Sequence, residues 1–200
     1  EIPSEKELLQ MILAANPKTD ERALFLVVLH CMGRIDEVLR LKWSDINFEK
    51  RFVTLWTRKR RNGSYESDPF PMNQDLYDIL WKLWECRKQE TWVFYNEKTE
   101  DRYNKRPKMM KSICMRAFDP GCKGREYYTG KVYGFHALRH FMASYLSDKK
   151  KQSTKTMQGL LRHKHVKTTE IYLHPIDGQA VEAVASIEGI FTEKQAENFE

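Results

Sequence analysis

Leu160-Leu161-Arg162-His163-Lys164-His165-Val166-Lys167-Thr168-Thr169-Glu170-Ile171-Tyr172 is the stretch on which the reading of this chain turns. It sets His163 nine residues ahead of Tyr172, with Thr168-Thr169 and Ile171 between them. Taken alone, a tyrosine between Ile171 and Leu173 reads as core. Two motifs upstream change its meaning: Arg34-Ile35-Asp36-Glu37 near the start, and His136-Ala137-Leu138-Arg139 ahead of His163. Together they offer a hydroxyl nucleophile, two guanidinium groups and two imidazoles, a set suited to attack on a phosphodiester.

Such an attack needs an in-line nucleophile, stabilisation of charge on the non-bridging oxygens, and a proton for the leaving oxygen. A tyrosine hydroxyl has a reference pKa of about 10, so its neighbours must make it more reactive. Two arginines can each fork two donors onto a phosphate, which an ammonium cannot do. That arrangement dispenses with Mg²⁺ and agrees with the lack of an acidic cluster in the sequence. His136 and Arg139 stand at i and i+3 of a predicted helix, on one face and aimed at one phosphate. Each motif alone has a plainer reading. His-x-x-Arg also suits a capped helix with a surface arginine, and Arg34 a helix-capping salt bridge.

Working outward, the 200 residues fit one sizeable domain, or one with a small extension. Hydrophobic residues at 41% and aromatics at 12% argue for a folded globule. The formal charge of +6, from 34 Lys+Arg against 28 Asp+Glu, matters less than its distribution. Basic residues gather in Arg58-Lys59-Arg60-Arg61, from Arg102 to Lys111, and in Lys149-Lys150-Lys151. Clustered basic surface is the electrostatic footprint of nucleic-acid backbone binding, although the Lys149 run reads equally well as solvated surface. Cys31, Cys86, Cys114 and Cys122 form no Cys-x-x-Cys and suggest reduced thiols in the cytosol. His163 and His165 have no further ligands at metal spacing, so no metal is expected. No apolar run approaches the ~20 residues of a membrane span and no signal peptide opens the chain, so a soluble, intracellular protein is expected.

The local pattern predicts a mainly helical chain with one small sheet. Ser4 and Glu7 form a capping box before Leu8, Leu9, Ile12 and Leu13. Asp20 should cap a buried helix from Glu21 to Met32, Gly33 should end it, and a third helix should run from Arg34 to Lys42. Period-two alternation from Phe52 to Thr57, then Asn62-Gly63 and Tyr65 to Pro71, predicts a hairpin with a basic tip and a proline-bearing edge strand. Asn73 should cap a helix striped by Leu76, Ile79, Leu80, Leu83 and Trp84. Further helices are expected from Lys105 to Phe118, Phe135 to Ser147, Thr154 to Arg162 and Ala180 to Phe191. Trp56, Trp81 and Trp84 read as core, and His140 and His174 as structural.

The order Arg-x-x-Glu, basic hairpin, His-x-x-Arg, His, Tyr resembles the catalytic domain of the tyrosine recombinases, the phage-integrase family, from about residue 2 to residue 174. The resemblance implies an α+β, mainly α fold with a small antiparallel hairpin, over residues 1–179. It implies that Arg34, Arg139 and His163 hold the phosphate, that His136 assists, and that Glu37 buttresses Arg34 or a neighbouring histidine. Tyr172 would be the nucleophile, forming a 3′-phosphotyrosyl link without cofactor or metal. The catalytic lysine lies on the family's hairpin; Lys59 matches it best, with Arg58 and Arg60 similar in a looser alignment, and Arg61 beside them for DNA contact. Where the family usually has glycine before the histidine, this chain has Arg162. Further implications are double-stranded DNA as substrate, a tetramer on DNA that is weakly associated or monomeric without it, and one or more N-terminal DNA-binding domains outside this chain. Residues 180–200 would then pack on their own domain or on a neighbouring protomer, and the setting would be the cytoplasm of a bacterial host. A type IB topoisomerase would share the chemistry, and a non-catalytic DNA-binding module would share the fold.

Overall fold

A computed structural model describes residues 1–58, 64–162 and 178–198. Its first helix, α1 (Glu5–Ala14), begins as the sequence dictates. Ser4 Oγ accepts from the Glu7 amide while the Glu7 carboxylate accepts from the Ser4 amide, at 3.2 and 2.9 Å. The same carboxylate also takes bonds from Tyr133 Oη and Lys131 Nζ, each at 3.0 Å, and so ties α1 to a distant loop.

Helix α2 (Asp20–His30) is buried over Leu24 to His30, as an all-round apolar pattern requires. Its cap is Thr19, not Asp20: Thr19 Oγ1 accepts from the Glu21 amide at 3.3 Å, and Asp20 instead receives Arg106. The helix also ends differently from expectation. Met32, at φ 45°, takes the left-handed position that usually falls to glycine, and Gly33 follows it. Gly33 is needed for closeness instead, since a Cβ there would lie 2.7 Å from Val38 Cγ2. Helix α3 (Ile35–Val38) is a single turn, shorter than the predicted Arg34 to Lys42, and a 3-10 turn follows at Trp43–Asp45.

The sheet has three strands in the order β1 (Ile46–Asn47), β2 (Phe52–Arg58), β3 (Tyr65–Pro71). β2 and β3 pair antiparallel from Phe52 opposite Pro71 to Arg58 opposite Tyr65. The proline strand is an edge, as proline's missing amide demands. Val53 and Leu55 face the core. Strand β1 was not anticipated, nor was a second, two-stranded ladder, β4 (Tyr95–Asn96) with β5 (Asp101–Arg102). Pairings of two residues leave too little periodicity to read.

Helix α4 (Gln74–Glu85) is capped by Asn73, and α5 (Met109–Phe118) starts four residues later than predicted. Then come α6 (Phe135–Asp148) and α7 (Thr154–Leu160). The tail forms two short helices, α8 (Gly178–Ala185) and α9 (Glu193–Glu197), instead of one from Ala180 to Phe191. Gly189, at φ 70°, sits between them where the single helix would have continued. α1 packs on α5 and α9, and α2 packs on α4 and α6. Phe191 is wholly buried edge-on to Phe141 and Tyr145, and its carbonyl lies 3.2 Å from His30 Nε2.

Two tryptophans expected in the core are not there. Trp56 is 38% and Trp81 40% exposed. Trp56 Nε1 donates to Asp45 at 2.8 Å, and Trp81 stacks on Tyr77.

Candidate active site

The site is assembled where the end of α2, the single turn of α3, strand β2, helix α6 and the end of α7 meet. At its centre is Glu37, only 2% exposed as a side chain. Its Oε1 accepts from Arg34 Nη1 at 2.8 Å and from Thr57 Oγ1 at 2.7 Å. Its Oε2 accepts from the Arg34 amide at 2.9 Å and from Arg162 Nη2 at 2.7 Å. Four donors on two oxygens leave the carboxylate fully engaged. Burial works against its ionisation. The Arg162 guanidinium, the Arg34 amide, the Thr57 hydroxyl and the Arg34 guanidinium outweigh that and bring its pKa down to about 2.

Arg34 precedes α3 with an extended backbone, so its amide faces Glu37 while its guanidinium reaches the rim. The plainer reading of Arg34 as a capping salt bridge is thus part of the geometry. At 36% exposure, and with Nη1 given to Glu37, it still presents guanidinium surface to solvent.

Arg139 lies on the inner face of α6, with the residue 5% exposed. Its Nη1 donates to the Met32 carbonyl at 2.6 Å, and its Nη2 donates to the Leu161 carbonyl. Burial, then the positive charges of Arg162 and Arg34, push its pKa down to about 10, so it remains a cation at neutral pH. The left-handed turn at Met32 therefore has a use: its carbonyl receives Arg139 and, at 3.4 Å, Arg162. Arg34 and Glu37, neighbours on one turn, and Arg139, far along the chain, are brought into one cluster.

His136 stands one turn before Arg139 on α6 and is exposed, with its ring 6.3 Å from that of His140. The pair share the helix but not the depth: Arg139 points inward and His136 to the surface. Arg58 ends β2 on the exposed side. Lys59, Arg60, Arg61, His163 and Tyr172 lie outside the described residues.

Two participants were not foreseen. Thr57 reaches Glu37 from β2, and Arg162 reaches it from the end of α7. The motif marks Arg162 only as a replacement for glycine; its φ of 50° gives a left-handed backbone there, and its side chain is 4% exposed. Its remaining bond runs from Nη1 to the Leu160 carbonyl at 3.2 Å, while its buried Nε finds no partner among the described residues. No spacing rule links residue 162 to residue 37, so only the folded chain exposes the contact. Cys31 adjoins the cluster, but burial pushes its thiol up to about 11 and its Sγ donates to the Val27 carbonyl, so it offers no competing thiolate.

Among the described residues no group of three or more His, Cys, Asp or Glu could hold a metal ion, and no helix is long and apolar enough to cross a membrane. What the cluster can do is concentrate guanidinium charge around a single buried carboxylate, leaving a net positive rim for an anion.

Comparison with known proteins bears on the family and the fold. A tyrosine recombinase of Thermosipho africanus is 28% identical over 186 residues, which are 92% of this chain and 60% of that protein. The chain thus spans less than two thirds of that relative. The integrase of mycobacterium phage Brujita superposes with a TM-score of 0.67 at 18% identity, covering 100% of this chain and 64% of that one. A lambda integrase tetramer bound to a Holliday junction superposes with a TM-score of 0.56 at 20% identity, over 86% of this chain and 49% of that one. The α-rich frame with its small antiparallel sheet is the fold of these integrases, and with the phage integrase family model matching residues 4–178, the chain belongs to the phage integrase family.

Proposed function

We propose that this chain is the catalytic part of a site-specific DNA recombinase. The observation that carries the reading is the convergence of Arg34 and Arg139 on one cluster organised by Glu37, next in the fold to the residue that precedes His163. In this scheme the Tyr172 oxygen attacks the scissile phosphorus, the P–O5′ bond breaks, and a 3′-phosphotyrosyl link forms. The tyrosine proton is lost and the departing 5′ oxygen gains one, with Lys59 as the general acid; a positioned acid is typically worth ~10²–10⁴-fold. Arg34, Arg139 and His163 hold the developing charge, and His136, from the surface side of α6, assists positioning or proton transfer. A 5′ hydroxyl of a partner strand reverses the step. No bond energy leaves the link, so neither nucleotide hydrolysis nor a metal is called for.

The substrate is double-stranded DNA, approached by the basic hairpin of Arg58, Lys59, Arg60 and Arg61. On DNA the protein would act as a tetramer, weakly associated or monomeric without it. The domain reading is residues 1–179 for catalysis and 180–200 as a tail open to exchange with a neighbouring protomer; in the single chain that tail rests on α1 and under Phe141. The family frame and DNA-bound fold relatives support this reading over a binding module.

The test is a nicked duplex bearing the element's own site, incubated in EDTA with the full-length protein and resolved on a denaturing gel. A covalent protein–DNA adduct that Tyr172→Phe abolishes is expected. No adduct from protein that binds the site well would favour a non-catalytic DNA-binding role, and supercoil relaxation without recombinant product would favour a topoisomerase.

A further inference from the structure

Arg162 has the most unusual setting in the cluster. It carries a long side chain where the backbone, at φ 50°, lies in the left-handed region that favours glycine. That side chain is then buried to 4% exposure, and both its Nη atoms are engaged, by the Glu37 carboxylate and by the Met32 and Leu160 carbonyls. It is not disposed to touch a phosphate. Glu37, its main partner, is the residue that orients Arg34 through both amide and guanidinium.

We propose that Arg162 is a positioning residue for strand transfer: its guanidinium fastens the chain entering His163 to Glu37, and through Glu37 it sets the aim of Arg34. The inference rests on the recombinase reading above. Arg139 already joins the end of α7 to the end of α2 through the Leu161 and Met32 carbonyls, and a cation at residue 162 adds the direct tie to Glu37 that glycine would lack. The end of α7, from which the chain runs on to His163 and Tyr172, is bonded to the turn that carries Arg34. The groups facing Glu37 are Arg34 from its own turn, Thr57 from β2, Arg162 from the end of α7, and Arg139 and Cys31 close by. Of these, only Arg162 and Arg34 bring a cation into contact with it among the described residues.

The test compares Arg162→Gly, Arg162→Lys, Glu37→Gln and the Arg162→Gly/Glu37→Gln double variant of the full-length protein. Single-turnover adduct formation on the nicked site and equilibrium binding of the same site are both measured. Arg162→Gly relieves the backbone yet should slow adduct formation on the order of a hundred-fold, as misaligned catalytic groups do. Site binding should stay within about two-fold, since the lost contact is not to DNA. Arg162→Lys keeps a cation against Glu37 and should recover about ten-fold. In the Glu37→Gln background the glycine substitution should matter only about two- to three-fold, because the two act through one contact.

A wild-type rate in Arg162→Gly overturns the proposal, and so does a glycine penalty as large in the Glu37→Gln background as with Glu37 intact. If the glycine variant fails to fold by circular dichroism, the Arg162→Lys/Glu37→Gln cycle reads the same coupling. Wild-type protein that forms no Tyr172-dependent adduct defeats the recombinase reading itself. An adduct that forms while Arg162→Gly stays unaffected removes only the role of Arg162.

Discussion

Replacing Glu37 with glutamine keeps the shape of the side chain and removes its charge, and the structure sets the size of the effect. The carboxyl falls from an ordinary value of 4.5 to about 2 in the folded chain, at a site 2% exposed. A difference of that size corresponds to about 3 kcal/mol of folding stability at neutral pH. The sign follows from proton uptake. Below 4.5 the unfolded chain binds a proton that the folded chain refuses, so the contribution is full above that pH and is lost as the pH falls towards 2. By pH 3.5 roughly 2 kcal/mol should be left. Arg162, the largest contributor lowering that pKa, is left buried opposite an amide, and breaking such a buried pair typically costs ~3–5 kcal/mol, the same range. Urea unfolding of wild type and Glu37→Gln at pH 7, 4.5 and 3.5 reads the difference. The gap should be at least about 3 kcal/mol at pH 7, a melting shift of roughly 6–12 °C for a chain of this size, and should narrow with acid. A gap below about 1 kcal/mol at pH 7, the range of an exposed ion pair, or one that does not change between pH 7 and 3.5, would refute the account of Glu37 as the charged keystone of the cluster.

Three further outcomes follow from single contacts. His30 is wholly buried, and burial above all holds its pKa below 6.5, so stability should be full above that pH and decline as the pH falls below it; urea midpoints at pH 7.5 and 5.5 for wild type and His30→Gln should differ less in the variant. Gly33→Ala puts a methyl 2.7 Å from Val38 Cγ2 and should cost about 1–3 kcal/mol by thermal melting, with adduct formation reduced because Arg34, the next residue, caps α3. Phe191→Ala empties the space against Phe141 and Tyr145 and should cost about 3–5 kcal/mol in chemical denaturation, showing that the tail is bound to its own domain in the free chain.

What was legible in the sequence was what local chemistry announces. Ser4 with Glu7, Asn73 before its apolar stripe, and the alternation from Phe52 each name their own structure, because the partners lie within a few residues. The family order of Arg34, Glu37, His136 and Arg139 was legible too, and the fold gathers Arg34, Glu37 and Arg139 at one cluster. Hidden were the features decided by distant partners. Thr19 outcompetes Asp20 for the α2 cap because Asp20 is claimed by Arg106. The left-handed residue is Met32, not Gly33, because Val38 needs the space beside residue 33. Trp56 alternates with the buried Leu55 along β2 and so faces outward, while Trp81 stands on the outer side of α4 against Phe48 and Tyr77, so both stay partly exposed. Arg162 reads in sequence as a defect in a motif, and only its meeting with Glu37 gives it a purpose.

The Met32 carbonyl, which receives both Arg139 and Arg162, has a consequence for how such a site can diverge. A peptide oxygen is common to every residue, so no point substitution at position 32 can delete the acceptor itself. Variation there is filtered only through the turn, and any residue that tolerates the left-handed backbone keeps the anchor. The side chain of residue 32 is thereby free to drift with the core around it, while inherited change in the arginines' surroundings is steered to Glu37, Thr57 and Arg162.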